Sequence, residues 1–198
     1  MSQIATIIGP NDHGRRMSLD EFDHAEVQEG FSYELGKLVV DVSDLPEPGH
    51  GEIIEALREA LYAYKIANRG IIHAIHGNGE CKLLVGPTQS ERHPDLSIYL
   101  APPPQDADVW SVWIPAVVIE VVSESSRDRD YNDKPLDYAT FGVPEYWLFD
   151  RTKKEVVIHK RRRGMYVPQV LKSGETYQTT LLPGFELRLD EIFRATSG

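Results

Sequence analysis

Two carboxylates and a lysine are the residues of this chain whose types and spacing could do chemistry together. Asp95 follows Pro94 at the start of the apolar stretch "DLSIYL". Glu120 interrupts "VVIEVV", an otherwise aliphatic β-branched run, and Lys134 comes fourteen residues later. An isolated buried carboxylate is costly, so it protonates, pairs or binds a cation. Three readings of Glu120 follow: a solvent-facing residue on a half-exposed strand, half of a structural ion pair, or a metal ligand at the end of a central strand. Carboxylates on adjacent strands can hold a hard divalent cation such as Mg²⁺ or Mn²⁺. A lysine beside them can orient or deprotonate a water, or stabilise charge on a phosphate. Acid, acid and lysine form a set suited to phosphodiester cleavage.

The elements that must position this set can be read along the chain. Residues 1–16 read as a flexible tail and 17–198 as one domain. Ser18 and Glu21 have the spacing of a capping box opening a helix "LDEFDHAEVQ". "FSYEL" and "KLVVDV" flank Gly36 as a β-hairpin. Ile53, Ile54, Leu57, Leu61 and Tyr64 recur at helical spacing, predicting a helix over 52–69 with Gly70 as its C-terminal cap. The strands "IIHAI", "KLLVG" and "DLSIYL" follow, where Pro94 suits a strand start because it needs no ladder donor. After "AVVIEVVS" a helix is expected, capped by Asn132 or Asp133, with Pro135 in its first turn and Gly142 stopping it. "EYWLFD" reads as a strand. "EVVIHKR", "MYVPQVL" and "TYQTTLL" read as a closing antiparallel meander, and "LPGFELRLDEIF" as a last strand and helical turn. The class is α/β to α+β, a mixed sheet flanked by helices.

Composition narrows the partners. The 198 residues suffice for one sizeable domain, and 41% hydrophobic with 26% charged residues is ordinary for a soluble protein. No apolar run reaches the roughly 18 residues of a membrane span, and the N-terminus lacks the pattern of a signal peptide. The single Cys81 excludes an intramolecular disulfide and a CxxC-type zinc site, and suits the cytoplasm. The net charge of −10 weakens the case for a tight non-specific nucleic-acid coat. The acids are concentrated before residue 150, whereas the last 48 residues are basic and include Lys160, Arg161, Arg162 and Arg163. That run is either a solvated hairpin tip or a backbone-contacting patch. No GxGxxG, Walker loop, nucleophile elbow or HExxH motif occurs.

Taken together, "YELGKLVV" followed by His50, "PDLSIYL", "VVIEVVSESSRDRDYNDKPLDYATFGVPEYWLFD" and the C-terminal "PGFELRL" resemble the Uma-two family of restriction endonucleases, within the PD-(D/E)xK phosphodiesterase superfamily. The resemblance spans about residues 20–194. It implies a restriction-endonuclease-like core with an N-terminal hairpin and a C-terminal antiparallel meander. It implies that Asp95 and Glu120 bind Mg²⁺ or Mn²⁺, with the Val121 carbonyl as a further ligand. The simplest superfamily pattern would place lysine at position 122, where Val122 stands. The Uma-two pattern is similar to this chain in moving the lysine to the following helix, which assigns the role to Lys134. DNA is the implied substrate, contacted through Lys160 to Arg163. A homodimer is the expected assembly, since double-strand cutting needs two active sites.

Other residues carry two readings each. Glu34 is a solvent-facing strand residue or an additional acid near the metal. His50 is a loop histidine at a helix start or a site-lining group. Ser123 ends the strand or bonds the ligands. Tyr138, one turn after Lys134, is a core aromatic or its support. Trp110 and Trp113 pack their loop, cover a dimer face or stack on a base. "RDRD" at Arg127 to Asp130 reads as a solvated turn, or as a turn whose arginines contact phosphates. Against the nuclease stands one alternative from another class: a catalytically silent scaffold that kept the fold for DNA binding or assembly.

Overall fold

Strands covered on both faces read as continuous apolar runs and strands covered on one face as alternations; a computed structural model shows how the two kinds pair here. It describes residues 6–45, 47–105 and 108–194. In chain order the elements are β1 (Ile7–Ile8), α1 (Leu19–Asp23), β2 (Glu26–Val27), β3 (Phe31–Gly36), β4 (Val39–Asp44), α2 (Pro48–Ala67), β5 (Ala74–Gly77), β6 (Leu83–Val85), β7 (Ser90–Arg92), β8 (Leu96–Tyr99), α3 (Val109–Val112) and β9 (Val117–Val121). A π-helical turn (Arg129–Asp133) then runs into α4 (Lys134–Phe141), followed by β10 (Glu145–Asp150), β11 (Glu155–Arg162), β12 (Met165–Lys172), β13 (Thr176–Gln178), β14 (Glu186–Arg188) and α5 (Leu189–Arg194).

The central sheet has the order β12-β11-β10-β9-β8-β5. β9 and β10 are parallel, joined by α4, and the other pairs are antiparallel, so the sheet is mixed. Val117, Ile119 and Val121 of β9 face one apolar layer with Ile53, Leu57 and Leu61 of α2 and Phe193 of α5. Val118 and Val122 face the other, with Tyr138 of α4. Both faces of β9 are covered, which is why its sequence is almost unbroken aliphatic. A smaller antiparallel sheet, β4-β3-β7-β6, packs its own apolar cluster around Phe22, Leu35 and Val40.

Several boundaries differ from expectation. Within the expected tail, residues 1–5 lie outside the described residues. Ile7–Ile8 pairs in parallel with Glu26–Val27, and Ile8 is fully buried, so the fold takes in residues before 17. That same pairing ends α1 at Asp23, because Glu26 and Val27 serve as a strand; the Ser18–Glu21 capping box is present. α2 begins earlier than predicted, at Pro48, since a proline at the first helical position forfeits no bond. It ends at Ala67, where Asn68 caps the Tyr64 carbonyl through its backbone N–H and its side chain. The helical course leading to Lys134 starts well before Asn132, and neither Asn132 nor Asp133 caps it. Pro135 cannot donate to a carbonyl one turn back and its ring would clash there; the wider π turn just upstream accommodates it. Gly142 stops α4 in a left-handed conformation, as its type requires. β10, β11 and β12 form the meander, whereas the "TYQTTLL" stretch leaves it: β13 pairs with β14 in a separate two-stranded sheet. Trp113 stacks on Tyr99 with ring centroids 3.7 Å apart and donates to the Ala101 carbonyl, so it packs its own loop. Among the described residues no helix is long and apolar enough to cross a membrane.

Candidate active site

The antiparallel register Leu96↔Ile119 between β8 and β9 places the start of one beside the end of the other. Asp95, just before β8, therefore meets Val121 at the end of β9. Its Oδ2 accepts the Val121 N–H at 2.8 Å, and His50 Nε2 from the first turn of α2 lies 3.0 Å from the same oxygen. Glu120 falls on the α4 side by strand alternation. It is 3% exposed, and its Oε1 accepts from Lys134 Nζ at 2.9 Å and from the Tyr138 hydroxyl. Lys134 and Tyr138 are one helical turn apart and so reach one carboxylate together.

Lys134, 4% exposed, sits among carboxylates. Its Nζ lies 3.0 Å from Asp130 Oδ1 and 3.4 Å from Glu34 Oε1 as well as on Glu120. Glu34 is buried rather than solvent-facing. Its Oε1 accepts the His93 N–H at 3.1 Å, and its Oε2 accepts from Arg92 Nη1 at 3.3 Å. Arg92 is fully buried and ties the small sheet to α4 by donating from Nε to Asp137 Oδ2 at 2.9 Å. Ser123 and Ser126 exchange hydrogen bonds beyond β9, and Ser126 donates to Asp130.

Protonation follows from these contacts. Burial acts to raise the Glu34 carboxyl, but Lys134, Arg92 and the His93 N–H overcome it and hold it down at about 2. Burial pushes Glu120 well above the usual carboxylate range; Lys134 opposes this, while Asp95, Asp130 and Glu34 reinforce it. Burial alone would lower Lys134, but Asp130, Glu120 and Glu34 keep its ammonium well above the ordinary value. Tyr138 is raised by burial and then by Glu120 and Glu34. The site is a buried ammonium with an excess of carboxylates.

The structure thus brings Asp95, Glu120, Lys134, Glu34, His50 and Tyr138 together. All of these but Tyr138, with Val121 and Ser123, line one cleft of about 550 Å³. The basic run lies elsewhere. Lys160 is level with Glu145 and Val117, at the end of the sheet opposite to Glu120, and Arg161 donates to the Ala139 carbonyl. "RDRD" is not a solvated turn: Asp130 is 1% exposed, Arg127 grips Asp150 with two hydrogen bonds, and Arg129 lies 3.5 Å from Asp41. Sequence reasoning missed Arg92, Asp130 and Asp137. Asp130 had a legible signal, a carboxylate four residues before Lys134 on a helix. Arg92 had none, because its partners come from distant segments.

Among the described residues no group of three or more His, Cys, Asp or Glu side chains forms a ready metal cage. Two carboxylate oxygens, Asp95 Oδ1 and Glu120 Oε2, nevertheless take no hydrogen bond among the described residues. Hard oxygen donors on neighbouring strands, amid unbalanced negative charge, fit a Mg²⁺-type ion, which commonly uses one or two carboxylates plus waters and substrate phosphate.

A family model described as "Uma2: Putative restriction endonuclease" matches residues 19–190. The chain is also similar to the crystal structure of a putative nuclease belonging to DUF820 from Anabaena variabilis ATCC 29413. The identity is 15% and the TM-score 0.72, over 91% of this chain and 99% of that one. At this identity the likeness shows the fold. No curated protein matches the chain.

Proposed function

The chain belongs to the Uma2 family, and on that premise we propose that it is a metal-dependent endonuclease hydrolysing phosphodiester bonds in DNA. One observation carries the reading: Asp95 and Glu120 line one cleft from the ends of adjacent strands, each with one oxygen fixed by the protein and the other without a hydrogen bond among the described residues. Asp95, Glu120 and the Val121 carbonyl would hold Mg²⁺ or Mn²⁺, which when bound would supply Lewis-acid polarisation of the phosphate and a water of lowered pKa. The side chains do the rest. His50 and the Val121 N–H hold Asp95 in place, and Tyr138 holds Glu120. Lys134, kept cationic by Asp130 and Glu34, is the group that orients the attacking water or meets charge developing on the phosphate. The Lys160–Arg163 run plays no part in this reading because of its distance along the sheet.

The test is calorimetric titration of Mn²⁺ into the wild type and Asp95→Asn, with oligonucleotide cleavage on the same samples. Metal binding and cleavage that vanish together in the variant support the reading; a wild type that neither binds nor cuts defeats it. A second reading, the silent scaffold, is favoured by one contact, since Lys134 already pairs with Glu120. Under it Glu120→Gln leaves function intact and raises stability; under the nuclease reading the same change abolishes cleavage.

A further inference from the structure

The cleft has a side lobe that the proposed chemistry leaves unused. Along β3 and β7, Glu34 and Arg92 point to α4, whereas Tyr33 packs with Phe22 of α1, and His93 Nε2 bonds Glu91 Oε1 at 3.0 Å. Phe22, Val27 and Phe31 supply apolar and aromatic lining on this side. Phe31 stands edge-on to Tyr33, 6.5 Å between centroids, and is only half-buried. Two buried polar atoms of this lining have no partner among the described residues: the Tyr33 hydroxyl and Glu91 Oε2. Lys82 lies 3.6 Å from the other carboxylate oxygen, Oε1. A buried carboxylate oxygen without a donor is costly, and it marks where a donor belongs.

A flat heterocycle answers two of these features, the Phe31 ring and the Glu91 oxygen. Its face stacks on Phe31, and stacking tolerates any base. Its exocyclic amino group donates to Glu91, as carboxylates accept from the cytosine amino group elsewhere. The rim argues against a whole duplex. Asp23 and Asp44 line the cleft in place of a basic groove, and a duplex presents one charge per about 1.7 Å of axis. A single unpaired nucleotide brings far less charge past that rim.

We propose that the side lobe between α1 and β3 binds the base of an unpaired nucleotide bearing an exocyclic amino group, seating the adjoining phosphodiester at Asp95 and Glu120. The preferred substrate is then single-stranded, and amino-bearing bases are preferred over thymine. The inference rests on the nuclease reading for what happens to the phosphodiester, not for the base contact.

The experiment is fluorescence anisotropy of labelled oligo-dC, oligo-dT and a mixed duplex, in Ca²⁺, with wild type, Phe31→Ala and Glu91→Gln. The expected result is oligo-dC bound about tenfold tighter than duplex. Phe31→Ala then loses most of that advantage, and Glu91→Gln narrows the gap between dC and dT. Duplex bound as tightly as oligo-dC, or a preference untouched by both substitutions, overturns the proposal. Cleavage of the same oligonucleotides in Mn²⁺, with Asp95→Asn as control, separates the two claims. Asp95-dependent cutting without strand or base preference defeats the lobe alone. Base-selective binding without any cutting supports the lobe and defeats the hydrolytic reading.

Discussion

The two faces of β9 are both covered by helix, yet they are built on opposite principles. Toward α2, Val117, Ile119 and Val121 meet Ile53, Leu57, Trp147 and Phe149, and the carboxylate at the edge of this layer, Glu145, accepts from Trp147, Tyr177 and Thr179 without a cation in the layer's apolar cluster. Toward α4, the same strand presents Glu120 to Lys134 and Tyr138, behind which lie Asp130, Glu34, Arg92 and Asp137. An apolar layer tolerates loss by degrees, since each deleted methyl group costs its own transfer and cavity terms. A buried ionic network fails abruptly, because removing one partner strands the others in a low-dielectric interior. The first face stabilises; the second holds groups ready that stability alone would not select.

The largest effect should come from Lys134→Met. It leaves Glu120, Asp130 and Glu34 without their shared cation, so urea denaturation should show a loss of about 3–5 kcal/mol, together with loss of cleavage. On the opposite face Ile119→Ala should cost about 2–5 kcal/mol, but Mn²⁺ affinity of the folded fraction should be unchanged. If metal affinity fell with Ile119→Ala, the two faces would not be functionally separate. Tyr138→Phe should cost about 1–2 kcal/mol in the same denaturation experiment, since Glu120 loses one charge-assisted donor. A shift in metal affinity larger than that loss of stability would show that the hydroxyl aims Glu120.

The last effect is a pH dependence. His159, on the α4 side and stacked on Tyr146, is lowered to about 4 by burial, with its Nε2 unpartnered among the described residues. Its folded value lies below its unfolded value, so the unfolded chain binds the proton more readily. Stability from this group is present above about 6.5, declines as pH falls, and is lost by about 4. Thermal melts between these pH values should flatten in His159→Phe; an unchanged slope would place the dependence on the carboxylate network instead.

Periodicity and local chemistry were enough to place most elements: the Ser18–Glu21 capping box, the hairpin about Gly36, the α2 stripe, the strands 117–121 and 145–150, and the Gly142 stop. They work because caps, turns and amphipathic faces are decided by residues within a few positions of one another. A charge inside an aliphatic run was likewise visible in one dimension, and it drew attention to Glu120. What surrounds that charge was decided only by the fold. Arg92, Glu34 and Asp137 come from three segments up to 103 positions apart, and no spacing rule joins them. The end of the sheet taken by Lys160 was set by the antiparallel register of β11, which turns a basic run away from the site. Desolvation, too, is a property of the packed molecule. The same carboxyl group is held at about 2 in Glu34 and pushed far upward in Glu120, because the number and placement of neighbouring cations differ.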